Sequence, residues 1–265
     1  IRTRAIAVGL ADLGRDSAIS RAEDVPDKSA TRTSPRESAA WSQRLVLFLY
    51  ALVIWSVGNG LLPLLPKYAA QFGADPVAIG YYLAISYAAI AFGTVVAGWM
   101  ADRLGHRKAQ MVIVGLAASP VVIITARVTV FWQVVVLTAV VWWLGGIALT
   151  FASIMAGLSA RPGERGTVLG LLALAAPMGS ILGGIGIGLL ADTYGFSGTW
   201  SALGLVWLVC PAAGLFVRDI QAPPVTLGPQ IPAARSAWTT AFVILLACGT
   251  LGASGTFIGS YGRSL

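Results

Sequence analysis

Gly98-Trp99-Met100-Ala101-Asp102-Arg103-Leu104-Gly105-His106-Arg107-Lys108 is the stretch on which the fold turns. It is a short charged segment between two long apolar runs. One acid, two arginines, a lysine and the chain's one histidine gather here, in a sequence that is 11% charged and 57% hydrophobic. Such a contrast does not suit a water-soluble domain, where charges are spread over the whole surface.

Outward from this turn, the sequence divides into windows free of Asp, Glu, Lys and Arg: 45–66, 76–101, 109–126, 128–160, 166–191, 193–217 and 236–262. A helix crossing the hydrocarbon core needs roughly 20 apolar residues, so the pattern predicts seven spanning helices. The segment 220–234 is also uncharged, but Pro223, Pro224, Pro229 and Pro232 make it a linker. The predicted organisation is a disordered cytoplasmic tail over 1–43, a six-helix unit over 44–218, a cytoplasmic linker over 219–236 and a seventh helix within 237–265. Pro120 predicts a kink in the third span.

The net charge of +7 follows from topology and does not point to nucleic acid. With the amino terminus inside, the basic residues on the inner side are Arg2, Arg4, Arg15, Arg21, Lys28, Arg32, Arg36, Arg44, Arg103, Arg107, Lys108, Arg161, Arg165, Arg218 and Arg235. Only Lys67, Arg127 and Arg263 fall outside. This asymmetry places the amino terminus in the cytoplasm of a multi-pass protein of the plasma membrane, or of the inner membrane in a bacterium. The bilayer, with its anionic headgroups, is the expected electrostatic partner. Cys210 and Cys248 fall inside predicted spans and read as buried free thiols. One His and two Cys leave no basis for a metal site, and no cofactor is expected. No nucleophile–base pair or phosphate loop suggests an enzyme.

The opening turn recurs after 90 residues. Gly98-Trp99-Met100-Ala101-Asp102-Arg103-Leu104-Gly105 aligns without a gap with Gly188-Leu189-Leu190-Ala191-Asp192-Thr193-Tyr194-Gly195, while Gly80 meets Gly170 and Gly93 meets Gly183. The repeats run over about 44–127 and 128–218. Each holds three helices, and an odd number inserts successive copies upside down. The charges agree: Arg103 becomes Thr193, and Arg107-Lys108 becomes Ser197-Gly198.

The stretch 98–108 closely resembles the loop between helices 2 and 3 of the major facilitator superfamily, Gly-x-Leu-Ala-Asp-Arg-x-Gly-Arg-Arg/Lys, with Met100 for Leu and His106 for the first basic residue of the closing pair. Pro63-Leu64-Leu65-Pro66-Lys67-Tyr68 is similar to the outer end of helix 1 in drug-exporting members. The resemblance implies an all-α polytopic membrane protein with 3+3 inverted repeats, six helices plus a seventh, the remaining carboxy-terminal helices being the missing partner of this half. It implies a secondary transporter of a small organic solute working by alternating access, with efflux as the direction the drug exporters suggest. In the gating loop of Gly98, Asp102, Arg103, Gly105 and Arg107, the resemblance gives Asp102 the role of bracing the inner gate, with Arg103 and Arg107 as charge partners. His106 reads as a solvated loop residue.

The drug–proton antiporters carry Gly-Pro-x-x-Gly-Gly on helix 5. Here the stretch is Gly179-Ser180-Ile181-Leu182-Gly183-Gly184, and Gly179, Gly183 and Gly184 read as helix-packing positions. Their helix 4 arginine is absent, Val141 and Trp142 occupying the candidate positions. A coupling ion, H+ being the candidate, has no assigned residue. No charged residue lies deep in any predicted span, which suggests a neutral or apolar solute, or coupling residues in the missing half. The resemblance places helices 1, 4 and 7 around the cavity. The candidates are then Trp55 and Asn59, Trp142, Trp143, Thr150 and Ser153, and Thr250 and Ser254. For Asn59, ligand contact and an interhelical hydrogen bond are equally open. An uptake carrier for sugars or metabolites, a seven-helix receptor and a non-functional transporter fragment are the alternatives.

Overall fold

The computed structural model describes residues 35–161 and 163–219, with side chains from residue 40 onward. Most of the predicted tail, nearly all of the linker and the seventh helix, with Cys248, Thr250 and Ser254, lie outside the described residues. The chain divides after Trp41, and everything below concerns the unit that begins at Ser42.

Every regular element among the described residues is a helix: α1 (Pro35–Leu61), α2 (Leu65–Ala70), α3 (Pro76–Arg103), α4 (Arg107–Thr125), α5 (Phe131–Ser159), α6 (Arg165–Ala173), α7 (Ala175–Trp207) and α8 (Val209–Phe216). Local chemistry sets the boundaries. Asp75 caps α3, its carboxylate accepting from the Ala78 amide at 2.7 Å, and Pro76 opens the first turn where no amide donor is needed. At the other end of α3, Gly105 (φ +59°) and His106 (φ +31°) lie in the left-handed region, which stops the helix and turns the chain into α4. The interruptions between α6 and α7 and between α7 and α8, at Leu174 and Leu208, each fall three residues before a proline, Pro177 and Pro211, whose missing N–H leaves the carbonyls four residues back, of Ala173 and Trp207, without a helical donor. Pro120, where a kink was expected, lies within an unbroken α4.

Five helical stretches have the length and composition to cross a membrane. The last, Arg165–Phe216, runs 52 residues, about 78 Å if straight against a hydrocarbon core of about 30 Å. Gly195 breaks it, with φ 66° and ψ −178°. The contacts on either side show that the chain reverses there. Before the break, Glu164 meets Arg44 and Ser180 meets Asn59, so 165–194 runs parallel to α1. After it, Ser119 donates to the Gly204 carbonyl (2.7 Å), Gly115 lies against Pro211 and Lys108 reaches the Leu215 carbonyl (2.6 Å), so 196–216 runs antiparallel to α4. Six crossings result. We refer to α1, α3, α4, α5, 165–194 and 196–216 as the first to sixth spans.

The inverted repeat is visible in these contacts. The second and fourth spans run parallel, joined by the Tyr82 hydroxyl donating to Thr138 Oγ1 (3.1 Å) and crossing where a Cβ at Gly93 would strike the carbonyl of Trp143. The first and fifth run parallel in the opposite sense, crossing where a Cβ at Gly183 would strike the carbonyl of Ser56. Gly93 and Gly183 are repeat mates, as are the spans they join.

The outward faces are apolar. Phe92, Val95, Ile113, Ile181, Ile185 and Leu189 are 61% to 69% exposed. So continuous an apolar surface has its partner in lipid.

Candidate functional site

A narrow cleft opens between the first and fourth spans. Trp55 and Asn59 of the first span and Trp142 and Leu149 of the fourth line it, together with Ile90 of the second span and Trp207 of the sixth. None of the residues lining it is ionisable. Gly145, also in the lining, lies beside Ile54 and the far edge of the Trp207 ring, each at ordinary van der Waals distance from where its Cβ would be. Trp142 is held edge-on against Tyr87 at 5.4 Å.

Of the predicted cavity residues, Trp55, Asn59 and Trp142 thus come together. Trp143 does not. One residue further round the helix, about 100° away, it lines a shallow apolar groove between the second and fourth spans with Phe92, Val136 and Val140. Thr150 and Ser153 also stay out of the cleft wall. Their hydroxyls donate to the carbonyls of Gly146 (2.8 Å) and Leu149 (2.9 Å) of their own helix, as hydroxyls in apolar surroundings commonly do. Trp207, Tyr87 and Ile90 were not anticipated. Nothing in the local sequence separates Trp207 from a packing residue, and its role comes from the tertiary approach of the sixth span.

Asn59 makes an interhelical bond: its Nδ2 donates to Ser180 Oγ at 2.8 Å, and the Ser180 hydroxyl donates onward to the Ala176 carbonyl at 2.8 Å. Below this bond, the first and fifth spans approach at the predicted packing glycines. A Cβ at Gly179 would meet the backbone of Ser56 and the Cβ of Trp55, and one at Gly183 would overlap Ser56. Gly184 differs from these two among the described residues. It points away from the crossing, and a Cβ there would meet nothing within 4 Å.

In the 98–108 turn, Asp102 and Arg103 are exposed, and Asp102 forms no ion pair among the described residues. Arg107 turns back to the Ala101 carbonyl (Nη2 to O 3.4 Å), and Gln110 Nε2 donates to the Gly105 carbonyl at 3.0 Å. Backbone contacts therefore hold the turn, and the Asp102 carboxylate is left available. At the same end of the unit, Arg44 pairs with Glu164 at 2.5 Å and Gln43 Nε2 donates to the Arg218 carbonyl at 3.3 Å, tying the first span to the fifth and sixth. No cluster of His, Cys, Asp and Glu suited to a metal occurs among the described residues.

A family model of the Major Facilitator Superfamily matches residues 45–264. The chain belongs to the Major Facilitator Superfamily. It is therefore an integral, multi-pass membrane protein of a family of membrane carriers, and the receptor alternative falls. Among curated proteins, the multidrug resistance protein MdtG of Citrobacter koseri is 28% identical over 192 residues, which cover 70% of this chain and 47% of that protein. The protein of the same name from Proteus mirabilis is 25% identical over 198 residues, covering 72% and 48%. The chain spans about half the length of these relatives. Among solved structures, a mutant of the peptide transporter POT in complex with alafosfalin matches with a TM-score of 0.61 at 17% identity, over 87% of this chain and 53% of that one. That likeness shows the superfamily fold.

Proposed function

We propose that this unit is the amino-terminal half of a secondary transporter that exports a small, uncharged, largely apolar organic solute by alternating access. The observation that carries the proposal is the cleft between the first and fourth spans, where Trp55, Trp142 and Trp207 supply aromatic surface and no lining residue is ionisable. A charged solute entering it would lose its hydration without a counter-charge, a cost of several kcal/mol or more. An apolar one gains about 25 cal/mol for each Å² of apolar surface removed from water. Efflux is favoured over uptake by the similarity to proteins named for multidrug resistance.

In this account the end bearing Arg44, Arg103, Arg107, Lys108, Arg161, Arg165 and Arg218 faces the cytoplasm, and the end bearing Lys67 and Arg127 faces outward. Asp102, exposed at the cytoplasmic end, braces the inner gate against the second half of the transporter, which supplies the opposite wall of the cavity. Coupling to H+ would run through groups of that second half, since no ionisable residue lines the cleft.

The test is an accumulation assay in bacteria stripped of their own exporters, with the uncharged fluorescent dye Nile red. Expression of the transporter with both halves lowers steady-state dye accumulation, and Trp142→Ala in this half returns it toward the control. Equal accumulation with and without the protein contradicts the proposal.

A further inference from the structure

We infer that the cleft selects solutes carrying a hydrogen-bond donor, and that the Asn59–Ser180 pair sets this preference. The inference deepens the export reading above and rests on the cleft being a solute site.

The bonding network fixes which way the amide points. A hydroxyl has one proton to donate. That of Ser180 goes to the Ala176 carbonyl, so Ser180 Oγ can only accept from Asn59. In this arrangement Asn59 presents its NH₂ to Ser180, and turning the amide over would keep the contact only by taking the Ser180 proton away from the Ala176 carbonyl. Its Oδ1 is left with no hydrogen bond among the described residues, on a side chain that lines the cleft. An unpaired carbonyl oxygen in an apolar wall favours any ligand that brings an N–H or O–H.

The inverted repeat makes the placement sharper. Shifted by 90 residues, Asn59 maps onto Leu149 and Ser180 onto Ile90, and both apolar mates also line the cleft. Each repeat thus contributes one member of the hydrogen-bonded polar pair and one apolar residue, and Asn59, Ile90 and Leu149 line the same space. The cleft has one polar wall position, an acceptor, opposite apolar surface. One N–H of Asn59 also remains, so a hydroxyl or a primary or secondary amide matches the whole exposed edge of the side chain. An ether, an ester or a tertiary amide brings no donor and leaves Oδ1 unpaired. The class is therefore uncharged aromatic or alicyclic compounds with an O–H or N–H.

The test uses the full chain in lipid nanodiscs with two probes that differ by one O-methyl group, 2-naphthol and 2-methoxynaphthalene, with binding measured against empty discs. The donor-bearing naphthol binds about three- to tenfold tighter than its ether, the range of one net hydrogen bond. Asn59→Leu, which installs the residue of the repeat mate, removes the difference between the two probes. Ser180→Ala, a smaller change that retains Asn59, frees the amide to turn its NH₂ into the cleft and brings the ratio toward one, which guards against a packing defect in the first variant. Equal binding of the two probes to the unmodified chain overturns the donor preference while leaving the cleft as a solute site. Binding of neither probe above empty discs overturns the cleft reading itself.

Discussion

Gly105 and Gly195 stand 90 residues apart in the sequence and both hold positive φ, +59° and +66°. One closes the second span and turns the chain into the third. The other closes the fifth and turns the chain into the sixth. They are the same position of the repeat, at opposite ends of the unit.

A side chain at either position meets a positive φ that L-residues avoid, and Gly195, with ψ −178°, lies in a region essentially open to glycine alone, at about 1–3 kcal/mol. Gly105→Ala and Gly195→Ala should each lower the thermal unfolding midpoint in detergent. Gly98 belongs to the same motif but lies within α3 with open space where its Cβ would be. Gly98→Ala should therefore be neutral or stabilising by up to about 1 kcal/mol. A loss at Gly98 equal to that at Gly105 would contradict the distinction.

The adjacent glycines of the fifth span separate in the same way. Gly183→Ala drives a methyl into the Ser56 carbonyl and must push the first and fifth spans apart, at about 1–3 kcal/mol. Gly184→Ala meets nothing and should leave stability within about 0.5 kcal/mol of the parent. Denaturant titration of the pair measures the contrast directly.

The difference between these two residues also shows what the sequence can convey. The charge-free windows, the Gly-punctuated turn and the 90-residue shift are one-dimensional patterns, and they sufficed for the helices, the repeat and the family. Which of two neighbouring residues faces a crossing is a rotation of about 100°, and the spans are apolar on every side, so no polar face marks the rotation. Trp142 and Trp143 were for that reason assigned together and are found on different faces. The first span was placed at 45–66, but its helix begins at Pro35 and ends at Leu61, because the polar stretch before Arg44 is helical and the prolines at 63 and 66 turn the chain. Trp207 entered the cleft unannounced, since it comes from a span that the sequence gives no reason to bring there. The partner of Asn59 could be named only once the register of the fifth span on the first was known.

Tyr68 gives a pH prediction outside the spans. Its buried hydroxyl donates to the Thr125 carbonyl at 2.8 Å, and its ring packs on Phe72, Phe196 and Trp200 with centroids 5.1–5.6 Å away. Burial pushes the phenol up to about 12. The folded state therefore holds this proton more tightly than the unfolded chain, whose tyrosines ionise near 10. The contribution is intact below pH 10 and is lost as pH rises toward 12. Tyr68→Phe should cost about 0.5–1.5 kcal/mol at neutral pH. It should also flatten the fall in unfolding midpoint between pH 10 and 12. An unchanged slope would remove Tyr68 as its source.

Asp102 is exposed and makes no ion pair among the described residues, so its substitution has little to disturb within this unit. Asp102→Asn should leave the unfolding midpoint within about 0.5 kcal/mol of the parent while raising dye accumulation in expressing cells. A matched loss of stability and export would instead make it a structural residue.

The opposed insertion of the two repeats is the claim on which the membrane topology and the cytoplasmic placement of Asp102 depend. Single cysteines at the repeat-related positions 104 and 194, Leu104→Cys and Tyr194→Cys in a background with Cys210→Ala and Cys248→Ala, measure it with a membrane-impermeant thiol reagent applied to intact cells and to inverted vesicles. Both parent residues are exposed at the ends of their spans. The account predicts that position 104 reacts only in inverted vesicles and position 194 only in intact cells. Reaction of both from the same side would contradict it.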